Sequence, residues 1–184
     1  MVRKAYPTTR SWTFLNCIFL SLRFNQKMEE ESSSRETSPN GRSADILLVE
    51  DDAVHASLML RALKMCGFAE RTEHVSDGAE ALEYLASVNL HSSRPASIPK
   101  LILLDLGLPK IGGMHVLRKL KSDTRTKSIP IVVLTSSKIA IELMESYKLG
   151  VNSYVIKPSE ASKFAELIAD ISRYWLVINE PPPV

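Results

Sequence analysis

From residue 45 to about residue 176, short apolar runs alternate with stretches whose apolar residues recur every three or four positions, and this alternation predicts strands and helices in turn. The first run, Asp45 through Val49, leads directly into three acids, Glu50, Asp51 and Asp52. Ala53 to Cys66 carries a helical stripe of Val54, Leu58, Ala62 and Met65, with Leu60 and Leu63, and Gly67 stops it. Glu70 to Val75 predicts a weaker strand suited to a sheet edge. Ser76, Asp77 and Gly78 cap a helix running to about Asn89, with Ala81, Leu82, Leu85 and Val88 inward.

A polar loop containing Pro95 and Pro99 precedes the central run, Leu101 to Leu104, whose large apolar residues suit a strand buried on both faces. Asp105 stands at its tip, and Pro109 sharpens the loop that follows. Gly112 and Gly113 open a helix to about Lys121, with Val116, Leu117 and Leu120 inward. Ile131 to Leu134 is the next strand and ends in Thr135. A helix over Ile139 to Leu149 stops at Gly150, which predicts a left-handed cap. The strand Ser153 to Ile156 ends in Lys157 and Pro158, and a last helix runs from about Glu160 to Trp175 or beyond.

Strands that alternate with helices predict an α/β protein with a doubly wound, five-stranded parallel sheet, helices on both faces and right-handed crossovers. In the order 2-1-3-4-5 the first and third strands are neighbours, so Glu50, Asp51 and Asp105 converge on the crevice beyond their carboxyl ends. Carboxylates crowded in this way repel one another unless a cation sits among them, and an all-oxygen set points to Mg²⁺. Lys157 and the Thr135 hydroxyl facing the same cluster make sense if an anion is held there too. A phosphoryl group on Asp105 meets all of these demands.

The chain has 184 residues, 45% of them hydrophobic, enough for one domain with appendages. Residues 1–44 are expected to be an N-terminal extension, residues 45–176 the folded domain, and residues 177–184 a C-terminal tail. The first 28 residues hold five bases and no acid; the remainder has 18 basic and 21 acidic residues, a balance of −3 that gives no electrostatic case for nucleic acid. The apolar run from Trp12 to Leu22 is too short to span a bilayer, so no stable membrane insertion is expected. Three readings compete for it: a start at Met28, a membrane-surface helix or a targeting peptide. The polar stretch 29–44 reads as disordered linker. Cys17 and Cys66 lie far apart, which fits a reduced, cytoplasmic protein. No DNA-binding domain follows the last helix, so output is expected through a downstream protein partner. Tyr174 to Ile178 are five large residues in succession, more than one helical face can bury, and they predict a homodimer through the last helix.

Val49 to Asp52, Leu104 to Pro109, Leu134 to Ser136 and Val155 to Pro158, each at a strand end and in this order, resemble the receiver domains of two-component response regulators. The tract Pro130 to Ser137, the helix Glu142 to Gly150 and the ending Arg173 to Leu176 resemble more narrowly the single-domain regulators that serve cyanobacterial phytochromes. The resemblance implies the receiver fold, of flavodoxin-like topology. It also implies a sensor histidine kinase, phytochrome-type in the narrower match, as phosphoryl donor. Asp105 would be the phosphoacceptor, Asp51 the direct Mg²⁺ ligand, Glu50 a second acid orienting metal-bound water, and Gly107 a carbonyl donor to the metal. Thr135 would bond a phosphoryl oxygen and move on phosphorylation, with Tyr154 as switch aromatic. Lys157 would pair with the phosphoryl group, its bond to Pro158 cis. Such a domain is a signalling module with at most self-dephosphorylation.

Two other classes use similar topology. A haloacid-dehalogenase-like phosphatase would need a second acid two residues after Asp105, where Gly107 stands. A flavin-binding module would need a phosphate loop where Glu50 to Asp52 would repel it. Asp52 is expected to cap the first helix, and the four histidines, His55, His74, His91 and His115, are too scattered to suggest a site.

Overall fold

The structure, a computed structural model, describes residues 44–88 and 98–181. Its strands are β1 (Ile46–Val49), β2 (Thr72–Val75), β3 (Leu101–Asp105), β4 (Ile131–Thr135) and β5 (Ser153–Ile156). Its helices are α1 (Ala53–Met65), α2 (Gly78–Val88), α3 (Gly113–Ser122), α4 (Ala140–Lys148) and α5 (Ala161–Arg173). All strand pairs are parallel and the order is β2-β1-β3-β4-β5, as the alternation of runs predicts.

The central strands β1, β3 and β4 are buried almost throughout, while β2 and β5, at the edges, are half-exposed. Side chains alternate between the two faces of each strand. On one face Leu47, Val49, Ile102, Leu104, Ile131 and Val133 form a core with α2 and α3 through Ala81, Leu85, Val116, Leu117 and Leu120. Against the other face, α1 and α5 pack together, with Met59, Leu63, Phe164 and Ile168 buried. The expected stripes of α2 and α3 are therefore the ones used, save that the side chain of Val88 lies outside the described residues. Asn89 likewise falls outside them.

Three local expectations are corrected. The buried positions of α1 are Ala56, Met59, Ala62 and Leu63, whereas Val54 is 68% exposed and Met65 is also exposed, because the helix turns its Ala56–Met59–Leu63 row inward. The segment before β2 forms a 3₁₀ turn over Ala69–Arg71, with Arg71 N–H donating to the Phe68 carbonyl at 3.1 Å, so Glu70 is outside the strand. After α5 the chain continues as one π-helical turn, Tyr174–Ile178, closed by Asn179 N–H to the Tyr174 carbonyl at 2.7 Å. Gly150 has φ +90°, the left-handed geometry expected where α4 stops. Of the expected extension, residues 1–44, residues 1–43 lie outside the described residues, and Ala44 is buried.

Candidate functional site

Strand register builds the site. Val49 pairs with Leu104, so Glu50 follows β1 level with Asp105 at the tip of β3. Asp105 pairs with Leu134, which sets Thr135 one step further out, and Thr135 pairs with Ile156, so Lys157 follows on the same edge. Four consecutive strands of the sheet thus deliver their chemistry to one rim, as the sequence predicts.

The Lys157 side chain is buried and reaches back across this rim. Its Nζ lies 2.7 Å from Glu50 Oε2 and 3.2 Å from Asp105 Oδ2. Glu50, Asp51 and Asp105 each offer a carboxylate oxygen, and these oxygens lie within 4.8 Å of one another. Glu50 is 1% exposed, and its Oε1 is buried with no hydrogen-bond partner. Burial pushes the Glu50 carboxyl above the usual glutamate range, a shift that the Lys157 ammonium opposes. An orphan carboxylate oxygen beside two further carboxylates is a donor set for a hard divalent cation, and Asp51, exposed at the rim, leaves room for water ligands. Mg²⁺ fits these residues on this ground. Gly107 lies against the same carboxylate: a Cβ there would stand 3.4 Å from Asp105 Oδ2.

Thr135 is buried, and its Oγ1 accepts the Ser137 N–H at 3.0 Å, which leaves the hydroxyl proton free to be donated. Tyr154 on β5 is half-buried, and its Oη is buried without a partner, as is Glu142 Oε2 on α4. Burial first, and the Glu142 charge second, raise the phenol pKa, so the ring is held neutral. Asp52 accepts the His55 N–H at 2.8 Å and caps α1, as expected. No peptide bond among the described residues is cis, so the Lys157–Pro158 bond is trans, contrary to what the resemblance implies. Trans is the lower-energy isomer, and here Lys157 N–H donates to the Thr135 carbonyl at 2.8 Å, continuing the ladder past β5.

Sequence reasoning missed two histidines. His55 Nδ1 lies 3.5 Å from Glu50 Oε1, and its ring packs edge-on against Phe164 with centroids 5.7 Å apart. His74 Nε2 lies 2.9 Å from the Glu50 carbonyl, which can only accept, so this nitrogen carries the proton. His55 could have been placed from its position one turn into the helix that Asp52 caps, and His74 from the parallel pairing of the first two strands. Sequence reasoning also missed the ion pair between Lys110, in the loop after β3, and Asp77, which caps α2.

Comparison with known proteins follows the same outline. Residues 46–169 match the family model described as the response regulator receiver domain. Among curated proteins, the chain is 43% identical over 137 residues to the probable methanogenesis regulatory protein FilR2 of Methanothrix harundinacea, covering 74% of this chain and 86% of that protein. It is 35% identical over 131 residues to the response regulator Rcp1 of Synechocystis, covering 71% and 88%. Among solved structures, the phosphorylated cyanobacterial phytochrome response regulator RcpA superposes with a TM-score of 0.68 at 38% identity, covering 75% of this chain and 97% of that one. The Mn²⁺-bound form of Rcp1 gives 0.66 at 34% identity, covering 75% and 98%.

Proposed function

The chain belongs to the response regulator receiver domain family, and from that premise we propose that its phosphoacceptor is Asp105, loaded from the phosphohistidine of a sensor histidine kinase with Mg²⁺ at Glu50, Asp51, Asp105 and the Gly107 carbonyl. The observation that carries this reading is the buried ammonium of Lys157 set between Glu50 and Asp105, beside a Glu50 oxygen with no hydrogen-bond partner. An Asp105 oxygen attacks phosphorus, the P–N bond to the kinase histidine breaks, and the leaving imidazole nitrogen keeps the electron pair. When held by these residues, Mg²⁺ would supply charge neutralisation at the phosphoryl oxygens and the carboxylates. Lys157 Nζ exchanges part of its hold on Asp105 for a phosphoryl oxygen, and the Thr135 hydroxyl donates to another. Thr135 and Tyr154 then carry the change to α4 and β5.

The domain works as a signalling module in the cytoplasm, its own catalysis confined to slow hydrolysis of the acyl phosphate. A phytochrome-type kinase is the favoured donor, since the cyanobacterial phytochrome response regulator RcpA superposes over 97% of its length. Residues 45–176 form the receiver, with residues 1–44 and 177–184 as an extension and a tail. Output runs through protein contacts, and two copies associate through the last helix and the turn after it. Tyr174, Val177 and Ile178 are exposed there, and α4 adds Ile141, 71% exposed, with Met144 and Tyr147. Exposed apolar side chains in that number support a partner surface.

Labelling with acetyl phosphate tests the assignment: the parent should acquire an alkali-labile phosphoryl group only with Mg²⁺, and Asp105→Asn should acquire none. Full labelling of that variant would overturn it. In the same assay Asp51→Ala should weaken Mg²⁺ binding by more than about ten-fold, as calorimetry reads, and equal affinity would move the metal elsewhere.

A further inference from the structure

The loop between β3 and α3 carries Gly107, and it is held at three points. Leu108 is buried in the core on the α2–α3 face. At the far end Gly113 leaves no space for a side chain, since a Cβ would stand 2.1 Å from the Asp105 carbonyl, and its N–H donates to the Leu106 carbonyl at 3.2 Å. Between these points Lys110 adopts φ +58°, the left-handed region that a side chain of its kind rarely occupies.

Lys110 Nζ bonds Asp77 Oδ2, while Asp77 Oδ1 accepts the Ala79 and Glu80 N–H groups at 2.8 and 2.9 Å and so caps α2. Asp77 is buried, so Lys110, itself largely exposed, is the one cation that its second oxygen meets among the described bonds. One residue further, the Ile111 carbonyl sits where a Cβ of Gly78 would be, at 2.1 Å, so loop and helix start touch main chain to main chain. The Lys110 ammonium lowers the Asp77 carboxyl below the usual aspartate value, in keeping with a pair formed across these two segments.

We propose that Lys110 is a positioning residue for cation binding: its ion pair with Asp77 fixes the loop in the form that holds Gly107 against the Asp105 carboxylate. The inference rests on the metal reading given above. It makes the N-terminus of α2, outside the acid cluster, a determinant of Mg²⁺ affinity.

Lys110→Gly separates side chain from backbone, because glycine accepts a positive φ without strain while losing the ammonium. Urea unfolding without metal should show this variant folded, with a single cooperative transition. Its Mg²⁺ dissociation constant by calorimetry should rise about ten-fold, the scale seen when a partner outside the ligand set is lost. Asp77→Asn keeps the capping oxygen and should weaken Mg²⁺ to a similar degree. The double variant should bind no more weakly than either single one, since both remove the same bond, and Lys110→Arg should restore most of the affinity. Lys110→Gly with parental Mg²⁺ affinity, or losses that multiply in the double variant, would overturn the proposal and leave the metal site standing. A parent that fails to bind Mg²⁺ would overturn both.

Discussion

Glu50 is where burial and charge conflict most sharply, because a nearly inaccessible carboxylate has one oxygen on Lys157 and the other without a hydrogen bond, with His55 Nδ1 3.5 Å away. Its folded pKa is raised above the ordinary 4.5, mainly by burial. Between those two values the native state keeps a proton that the unfolded chain has lost, so stability falls as pH rises through that window. Glu50→Gln removes this term. In metal-free urea unfolding, the stability of the variant relative to the parent should therefore grow as pH is raised from below 4.5 and level off above the folded pKa. A difference that stays constant across the series would contradict the burial argument. The acids, Thr135 and Lys157 were legible in the sequence because each directly follows an apolar run, and a parallel sheet brings such ends together. His55, His74 and the Lys110–Asp77 pair were not, since each depends on packing between segments whose spacing carries no pattern.

At the scale of elements, β3 does most to place the site, having neighbours on both sides and burial on both faces. Leu103→Ala, in the middle of that strand and wholly buried, should cost about 2–5 kcal/mol in urea unfolding. A loss of only a few tenths would mean that the strand is not packed as described. Hydrophobic periodicity located every helix, yet it misjudged which face of α1 is covered, since Ala56 and Ala62 carry less weight in a pattern than Val54 and Met65. In α4 only Ser146 is fully buried, and Ile141, Met144 and Tyr147 face outward. A stripe of apolar residues specifies a helix, but it does not say whether the helix spends that stripe on its own core or leaves it for a partner. The 3₁₀ turn at Ala69–Arg71 was illegible for a related reason: Arg71 meets Asp45, a contact made only once the sheet has formed.

For the whole molecule, the apolar turn Tyr174–Ile178 remains in part uncovered, with Tyr174 and Trp175 packed edge to face at 5.2 Å and Val177 and Ile178 exposed. Sedimentation at tens of micromolar should show a dimer for the parent and a shift toward monomer for Trp175→Ala. A parent that stays monomeric, with or without a phosphoryl group, would remove the self-association claim while leaving the phosphoacceptor untouched. Phosphorylation at the single carboxylate of Asp105 is tested most directly by locating the phosphoryl group itself. Full-length protein is labelled by acetyl phosphate with Mg²⁺, reduced with borohydride so that the acylated aspartate becomes homoserine, and mapped by peptide mass spectrometry. Homoserine at residue 105 alone is the expected result. Homoserine at Asp51 or Asp52 with residue 105 unchanged would contradict the account.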